Sequence, residues 1–145
     1  MSHHPLEIII VEDDPNDYEI TLRILKRRGM SANVQWLKDG EEALIFAEKL
    51  RTVIAAEGKR LPRIVILDIK LPKVIGFEVL KVFKQDEVLQ YIPVIIYSSS
   101  NQERDIIAAS QLHANSYVVK PVEYDAYARC IDEIVTYWMF THKYL

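Results

Sequence analysis

Cysteine is almost missing from this sequence of 145 residues, because Cys130 is the only one. An intrachain disulfide and a cysteine-rich metal site are therefore excluded. A basic excess is also missing: 18 Lys and Arg stand against 21 Asp and Glu, a net charge of -3, which does not favour a nucleic-acid partner. The apolar runs, such as 64–67 and 94–97, are far shorter than the roughly 18 residues of a membrane span. We therefore expect a cytoplasmic protein that binds neither nucleic acid nor membrane.

The composition that is present is that of a folded domain. Hydrophobic residues make up 50% of the sequence and charged residues 27%, which is typical of a globular protein and unlike a disordered tail. A length of 145 residues corresponds to about one domain, at the usual ~100 to 200 residues per domain. We therefore expect one hydrophobic core.

Short apolar runs alternate with longer stretches of helical period. The runs, which are the predicted strands, are 6–11, 34–37, 64–67, 93–97 and 116–119. The predicted helices cover 15–28, 41–57, 77–86, 102–113 and 123–140. Several runs are apolar at consecutive positions, as in strands that helices cover on both faces. The pattern predicts an α/β fold, a three-layer, doubly wound (βα)5 arrangement around a parallel five-stranded sheet.

Polar residues follow four of the predicted strands at the point where each strand ends. They are Glu12, Asp13 and Asp14 after the first, Asp68 after the third, Ser98, Ser99 and Ser100 after the fourth, and Lys120 after the fifth. Because a doubly wound sheet binds ligands beyond the carboxyl ends of its strands, we expect these side chains to converge. Converging carboxylates repel one another unless a cation lies among them, and their hard oxygens suit Mg²⁺. A lysine and a hydroxyl opposite them would hold phosphoryl oxygens, so the arrangement predicts a phosphoryl-transfer site.

Each of these residues also has an ordinary structural explanation. The acidic residues over 12–14 could only offer negative charge to a helix N-terminus, which is the better explanation for Asp14, the expected N-cap. Lys120 could be a surface lysine, and Ser98 could belong to a loop. Asp68 is harder to explain in this way, because it directly follows a buried strand and needs a partner there. The phosphoryl-transfer hypothesis depends on the joint pattern.

Four segments match, in order, the motifs of a known family. They are 8–15 (IIIVEDDP), 66–72 (ILDIKLP) with Gly76, 93–98 (PVIIYS) and 117–121 (YVVKP). With these segments, the sequence resembles the receiver domain of two-component response regulators over residues 6–138. The resemblance implies a flavodoxin-like receiver fold with strand order 2-1-3-4-5.

The resemblance also implies the metal site and the phosphoacceptor. By that resemblance, Asp68 is the residue that is phosphorylated, and Mg²⁺ is the cofactor. Asp13 and Asp68 would be metal ligands, and Glu12 would reach the metal through water. The backbone carbonyl of Lys70 would complete the protein's share of the ligands.

Three further roles are implied on the other side of the site. Lys120 would contact the phosphoryl group, and Ser98 would be the switch hydroxyl that is drawn to it. Tyr117 matches the aromatic residue that moves inward together with that hydroxyl. The bond between Lys120 and Pro121 is expected to be cis, an isomer that folded proteins form essentially only before proline.

Two residues depart from the family pattern, and two segments extend it. Ile75 precedes Gly76 where many receivers have a polar residue, and Lys70 stands where relatives often have a smaller polar group. Asp68 lies 28 positions after Gly40, which predicts an extended second helix or a long loop near 57–63. We expect a single receiver domain over 1–145, with an apolar C-terminal extension over 139–145. This shape looks like the small stand-alone response regulators that serve phytochrome-type histidine kinases.

The last predicted helix is apolar on more than one side. One stripe, suited to packing against the sheet, contains Tyr127, Ile131, Ile134 and Trp138, and a second contains Ala128, Val135 and Met139. Large exposed apolar patches usually mark interfaces, and two-fold pairs are the commonest oligomers. We therefore expect a homodimer through the C-terminal helix region.

These observations predict a response regulator, not an enzyme in the usual sense: a histidine kinase would phosphorylate Asp68, and the surface of the fourth and fifth helices would change. A haloacid-dehalogenase-like phosphatase would need a second Asp two positions after Asp68, where this chain has Lys70. A flavin-binding protein would need a Ser-, Thr- or Gly-rich phosphate loop after the first strand, where this chain has acidic residues. A receiver fold kept only as a dimerisation or docking scaffold remains an alternative.

Overall fold

The computed structural model describes residues 5–58 and 60–143. Its five strands are β1 (Ile8–Val11), β2 (Val34–Leu37), β3 (Ile64–Leu67), β4 (Val94–Ser98) and β5 (Ser116–Val119). Its α-helices are α1 (Pro15–Arg27), α2 (Gly40–Glu57), α3 (Gly76–Gln85), α4 (Glu103–Gln111) and α5 (Tyr124–Thr136). Short 3₁₀ turns lie at Ser31–Asn33 and Leu89–Tyr91, and a π-helical turn lies at Tyr137–Thr141.

The strands form one parallel sheet in the order β2-β1-β3-β4-β5. This confirms the predicted α/β fold class and strand order. The strand order reverses between β1 and β3, and the carboxyl ends of these two strands lie side by side there, as Val11 pairs with Leu67. The residues that follow each strand, Glu12 and Asp68, are therefore neighbours although 56 positions separate them in the sequence.

Two hydrophobic cores lie on opposite faces of the sheet. Ile9 and Val11 of β1 face a core built with α2, α3 and α4, in which Phe83 is fully buried. Ile8 and Ile10 face a second core built with α1 and α5. Because strands β1, β3 and β4 are covered on both faces, every one of their residues is buried, which explains the consecutive apolar residues in their sequences.

The first helix begins and ends as its sequence predicts. The side chain of Asp14 accepts a 2.8 Å hydrogen bond from the backbone N–H of Asn16, and Pro15 occupies the first helical position. After the helix, Gly29 has a φ of 69°, a left-handed conformation that glycine adopts at little cost. These signals fix the position of α1 relative to the acidic residues that precede it.

The C-terminal helix is shorter than the predicted 123–140. Regular α-helix ends at Thr136 and the chain continues as a π-helical turn, in which the N–H of His142 donates to the carbonyl of Tyr137 at 2.6 Å. The guanidinium of Arg63 donates a 2.7 Å hydrogen bond to the carbonyl of Met139. In a continuing α-helix this carbonyl would accept from a backbone N–H of the helix itself. Tyr144 and Leu145, the end of the predicted apolar extension, lie outside the described residues. Of the helices that the structure describes, none is both long enough and apolar enough to cross a membrane.

Candidate functional site

The acidic loop after β1 is held by its own backbone and by an aromatic residue of β2. Glu12 is buried, and its carboxylate accepts a 3.1 Å hydrogen bond from the backbone N–H of Asp14. Its backbone carbonyl accepts a 2.8 Å hydrogen bond from the indole Nε1 of Trp36. The Trp36 ring is stacked on Tyr18 of α1, with ring centroids 3.9 Å apart. The loop is therefore braced from β2 and from α1.

Asp68 follows β3 and is also buried, with 7% of its surface exposed. Its backbone N–H donates to the carbonyl of Val11 at 3.0 Å, so the sheet pairing with β1 continues to this residue. Its Oδ1 accepts a 2.9 Å hydrogen bond from the backbone N–H of Lys70, whereas the Lys70 side chain is exposed. Asp68 is thus fixed through backbone contacts on both sides.

Two glycines let the loop after β3 pack closely against its surroundings. A Cβ atom at Gly76 would collide with the carbonyl oxygen of Asp68 and with Cα of Ile69. A Cβ atom at Gly40, the first residue of α2, would collide with the carbonyl oxygen of Val74. The loop from 68 to 76 is therefore in backbone contact with the start of α2. Ile75, which departs from the usual polar residue, is exposed on this loop.

The carboxylates of Glu12, Asp13 and Asp68 converge at the ends of β1 and β3. One oxygen from each lies within 4.8 Å of an oxygen of each of the others, and Asp13 is the exposed member. Several carboxylate oxygens at the open edge of a site are the donor set that Mg²⁺ and similar hard cations prefer. These residues therefore fit a divalent cation. Asp14 has a different role, because its side chain caps α1.

Lys120 lies among these carboxylates. Its Nζ lies 2.5 Å from Oε1 of Glu12, 2.8 Å from Oδ2 of Asp68 and 3.0 Å from Oδ2 of Asp17, and its side chain is 8% exposed. Burial by itself lowers the pKa of an ammonium group, but the Glu12 and Asp68 carboxylates outweigh burial and raise the pKa of Lys120 above its usual value. Burial raises the pKa of Glu12, and the Lys120 ammonium opposes that shift. The lysine therefore stays charged and balances part of the negative charge.

Asp17 was missed by the sequence interpretation. It lies in the first turn of α1, three positions after the N-cap Asp14. Its closeness in sequence to the acidic residues that precede the helix was the available signal. Without the partner at Lys120, 103 positions later, an acid in a first turn indicates only a favourable interaction with the helix dipole.

A hydrogen-bonded group connects β4 to α4 and β5. The hydroxyl of Ser98, which is fully buried, accepts from the backbone N–H of Ser100 at 3.3 Å. The Ser100 hydroxyl pairs with Oδ2 of Asp105 at 2.5 Å, and the Tyr117 hydroxyl donates to the Ser100 carbonyl at 2.9 Å. Burial raises the pKa of Tyr117 above its usual value. Ser98 and Tyr117, both predicted from the sequence, thus meet through Ser100, whose part in this group was not predicted.

The peptide bond between Lys120 and Pro121 is trans, since no cis peptide bond occurs among the described residues. The expectation of a cis bond is wrong for this structure. Trans is the lower-energy isomer before proline by about 0.5 to 1 kcal/mol. In this conformation the backbone N–H of Lys120 donates to the carbonyl of Ser98 at 2.8 Å and extends the β4–β5 pairing to the site.

Five parallel strands in this order, with an acidic group at the switch point and a lysine after β5, define a receiver domain. The family model of the response regulator receiver domain matches residues 8–132. This chain therefore belongs to the response regulator receiver domain family.

Relatives match over nearly the whole chain. The probable methanogenesis regulatory protein FilR2 of Methanothrix harundinacea is 36% identical over 135 residues, which are 93% of this chain and 84% of FilR2. The response regulator Rcp1 of Synechocystis sp. is 31% identical over 140 residues, which are 97% of this chain and 93% of Rcp1.

Solved structures agree with the fold throughout. The phosphorylated cyanobacterial phytochrome response regulator RcpA has a TM-score of 0.84 at 31% identity, over 97% of this chain and 98% of RcpA. The Mn²⁺-bound form of Rcp1 has a TM-score of 0.82 at 30% identity, over 97% of this chain and 99% of that one. The chain is thus similar to response regulators along nearly its whole length.

Proposed function

We propose that this chain accepts a phosphoryl group on Asp68 from a histidine kinase, in a Mg²⁺-dependent reaction, and passes the signal on through the surface of α4, β5 and α5. The observation that carries the proposal is the convergence of three carboxylates with the buried ammonium of Lys120. Receiver-family membership supports the signalling role.

The metal would be held by Glu12, Asp13, Asp68 and the backbone carbonyl of Lys70. A divalent cation bound there supplies positive charge to the oxygens of a transferring phosphoryl group. Glu12 is buried and Asp13 is exposed, so the cation would enter from the side of Asp13. The Mn²⁺-bound form of Rcp1, a similar protein, supports the binding of a divalent cation.

Asp68 is the nucleophile in this proposal. A carboxylate oxygen of Asp68 attacks the phosphorus in line, the bond from phosphorus to the donor nitrogen breaks, and that nitrogen keeps the electron pair. Lys120, now 2.8 Å from Oδ2 of Asp68, is placed to follow the new negative charge onto the phosphoryl oxygens. The chain's own residues therefore supply the acceptor, Asp68, and a positive charge, Lys120, that neutralises part of the phosphoryl charge. A small phosphodonor should therefore also react.

Ser98 and Tyr117 would report the phosphorylated state. The Ser98 hydroxyl lies at the end of β4, next to the site, and its partner Ser100 also holds Tyr117 and Asp105. Moving the Ser98 hydroxyl towards a phosphoryl oxygen would break its bond with Ser100 and release constraints on the start of α4. Phosphorylation would thus shift a two-state equilibrium of that surface.

The proposed partners are a cognate sensor histidine kinase, of the phytochrome type, and a second copy of this chain. Similarity to RcpA, a phytochrome response regulator, supports that kinase class. Tyr137 and Phe140, about half exposed at the C-terminal turn, support a homodimer through that region. We further propose a single receiver domain in the cytoplasm, without a nucleic-acid or membrane partner.

The test is incubation of the purified protein with Mg²⁺ and acetyl phosphate, followed by intact-mass measurement. Wild type should gain the mass of one phosphoryl group, and Asp68→Asn should gain none. Asp13→Asn should lose both Mg²⁺ affinity and most of the phosphorylation, because one carboxylate of the cation group is removed. Glu19→Gln, an exposed change on α1, is the control and should behave as wild type. Unmodified wild type, or a modified Asp68→Asn, would contradict the proposal and favour a docking scaffold.

A further inference from the structure

Lys120 has one carboxylate partner that does not belong to the cation group. An ammonium has three N–H donors, and those of Lys120 are directed at Glu12, Asp68 and Asp17. Glu12 and Asp68 belong, with Asp13, to the group that fits a cation, whereas Asp17 does not. Asp17 therefore contacts the lysine from outside the metal site.

A divalent cation and Lys120 compete for the same two carboxylates. When Glu12 and Asp68 turn their oxygens towards a cation, Lys120 loses two of its three partners. Its side chain is 8% exposed, and a buried charge without a partner is costly. Lys120 therefore needs a remaining acceptor before the cation can take the carboxylates.

Asp17 is the acceptor that does not depend on the cation. It lies in the first turn of α1, a helix anchored in the core through Ile24 and Leu25. Its side chain is 27% exposed and its Oδ2 is 3.0 Å from Lys120. Because α1 fixes its backbone, Asp17 can keep its contact with Lys120 while Glu12 and Asp68 rearrange.

We propose that Asp17 is a positioning residue that holds the Lys120 ammonium beside the site while a divalent cation occupies Glu12 and Asp68. The inference rests on the proposed function, because it takes the acidic group to be a metal site. Without the Asp17 carboxylate, Lys120 remains on Glu12 and Asp68 and acts as a built-in competitor of the cation. Asp17 thus raises the affinity for the metal without touching it.

The test is a Mg²⁺ titration, followed by NMR chemical shifts without a phosphodonor, of wild type, Asp17→Asn, Lys120→Met and the double variant. Asp17→Asn should weaken Mg²⁺ binding about three- to tenfold, the size of a moderate coupling between contacting residues. In the Lys120→Met background the same change should have less than about a twofold effect, because the competitor is gone. Glu19→Gln removes the same charge from an exposed position of α1 and should leave the affinity unchanged.

A second measurement does not require a Lys120 variant. With wild type saturated by Mg²⁺, the Lys120 ammonium protons should remain visible by NMR, protected from exchange by Asp17. In saturated Asp17→Asn they should exchange too fast to be seen. Visible ammonium protons in that variant would overturn the proposal even if Lys120→Met fails to fold.

Two results of the titration would overturn the inference. An unchanged affinity in Asp17→Asn does so, and so does an equal loss with and without Lys120, since that is simple attraction between Asp17 and the cation. If Asp13→Asn loses Mg²⁺ while Asp17→Asn does not, this inference fails alone. If wild type binds no Mg²⁺, the proposed function fails and the inference falls with it.

Discussion

The indole nitrogen of Trp36 donates a 2.8 Å hydrogen bond to the backbone carbonyl of Glu12. This bond joins the penultimate residue of β2 to the first residue of the acidic loop, whose side chain belongs to the cation group. Tyr18 stacks on the face of the indole ring, with ring centroids 3.9 Å apart. A movement of the acidic-loop backbone would therefore change the surroundings, and with them the fluorescence, of Trp36.

The first prediction is that Mg²⁺ changes the intrinsic fluorescence of the protein through Trp36. Trp36→Phe should abolish the change and cost about 1 kcal/mol of stability, the net contribution of one hydrogen bond. Trp138, the other tryptophan, lies in the C-terminal turn, so Trp138→Phe should retain the response. A response that survives in Trp36→Phe and is lost in Trp138→Phe would place the cation elsewhere.

The second prediction concerns the coupling between Ser98 and the α4 surface. Ser98→Ala should still be phosphorylated on Asp68 but should show much smaller NMR shifts in α4 and β5, because no hydroxyl can move to the phosphoryl group. Ser98→Thr keeps the hydroxyl and should restore the shifts. Phosphorylation-induced shifts of equal size in Ser98→Ala and wild type would exclude this coupling.

The third prediction is a comparatively long-lived phosphoryl group, shielded by Lys70. The backbone N–H of Lys70 donates a hydrogen bond to the carboxylate of Asp68, and the Lys70 side chain is exposed. That side chain is long enough to reach a phosphoryl oxygen on Asp68 and to exclude the hydrolytic water. Lys70→Asn should dephosphorylate several-fold faster after donor removal at fixed Mg²⁺ and pH, in line with the loss of a nearby positive charge. Lys81→Asn, at an exposed position of α3, is the matched control. An equal or slower rate in Lys70→Asn would eliminate the shielding role.

The fourth prediction is that Gly76→Ala is far more damaging than Gly29→Ala. The added Cβ at position 76 would meet backbone atoms of Asp68 and Ile69, which cannot move independently of the site. We expect a loss of roughly 2 to 4 kcal/mol, the range of severe overpacking. At Gly29 nothing lies within 4 Å and only the left-handed φ opposes alanine, so about 1 kcal/mol should be lost. Urea unfolding measures both, and similar values would contradict the close packing.

The fifth prediction is a rise of stability with pH that depends on Lys84. Burial lowers the pKa of Lys84 to about 8, while an unfolded lysine titrates near 10.4. Between these values the unfolded chain still binds the proton that the folded protein has lost, so folding becomes more favourable as pH rises. This added stability of the folded protein is lost again as the pH falls through about 8.

The Lys84 contribution is measured as a difference between variants. After allowance for solvent screening of a partly exposed group, we expect wild type to gain about 1 kcal/mol relative to Lys84→Met between pH 7.5 and 9.5. Lys81→Met, an exposed change on the same helix, should follow wild type in urea unfolding. A constant difference between wild type and Lys84→Met across this range would refute the shift.

The elements that the sequence predicted are those with local signals. Consecutive apolar residues over 64–67 indicated a doubly covered strand, and Asp14, Pro15 and Gly29 marked the two ends of α1. The convergence of Glu12 with Asp68 followed from the rule that parallel strands end at one edge. These predictions needed no knowledge of which side chains touch.

The features that were missed depend on contacts between distant positions. The π-helical turn after α5 involves Arg63, which is 76 positions away from Met139, and no pattern within the helix indicates it. The contacts of Asp17 with Lys120 and of Trp36 with Glu12 likewise join residues on different elements. The pairing of Trp36 with Ile10 places Trp36 beside β1. That pairing alone does not reveal that the indole N–H is directed at the carbonyl of Glu12.

The contact of Gly40 with the loop after β3 makes the surroundings of Asp68 unequal. On the α2 side, the backbone of Gly40 packs against the backbone of Val74, and an ion pair of Lys73 with Asp39 at 3.4 Å joins the residues next to that contact. On the β4 side, the contacts are hydrogen bonds: the Lys120 N–H donates to the Ser98 carbonyl, and Ser100 is bonded to Ser98 and Tyr117. A displacement that starts at Asp68 therefore meets more resistance towards α2, where backbone packs against backbone, than towards β4, where hydrogen bonds can rearrange. If Asp68 is phosphorylated as proposed, a protein that binds at α4 would therefore detect the phosphorylated state better than one that binds at α2.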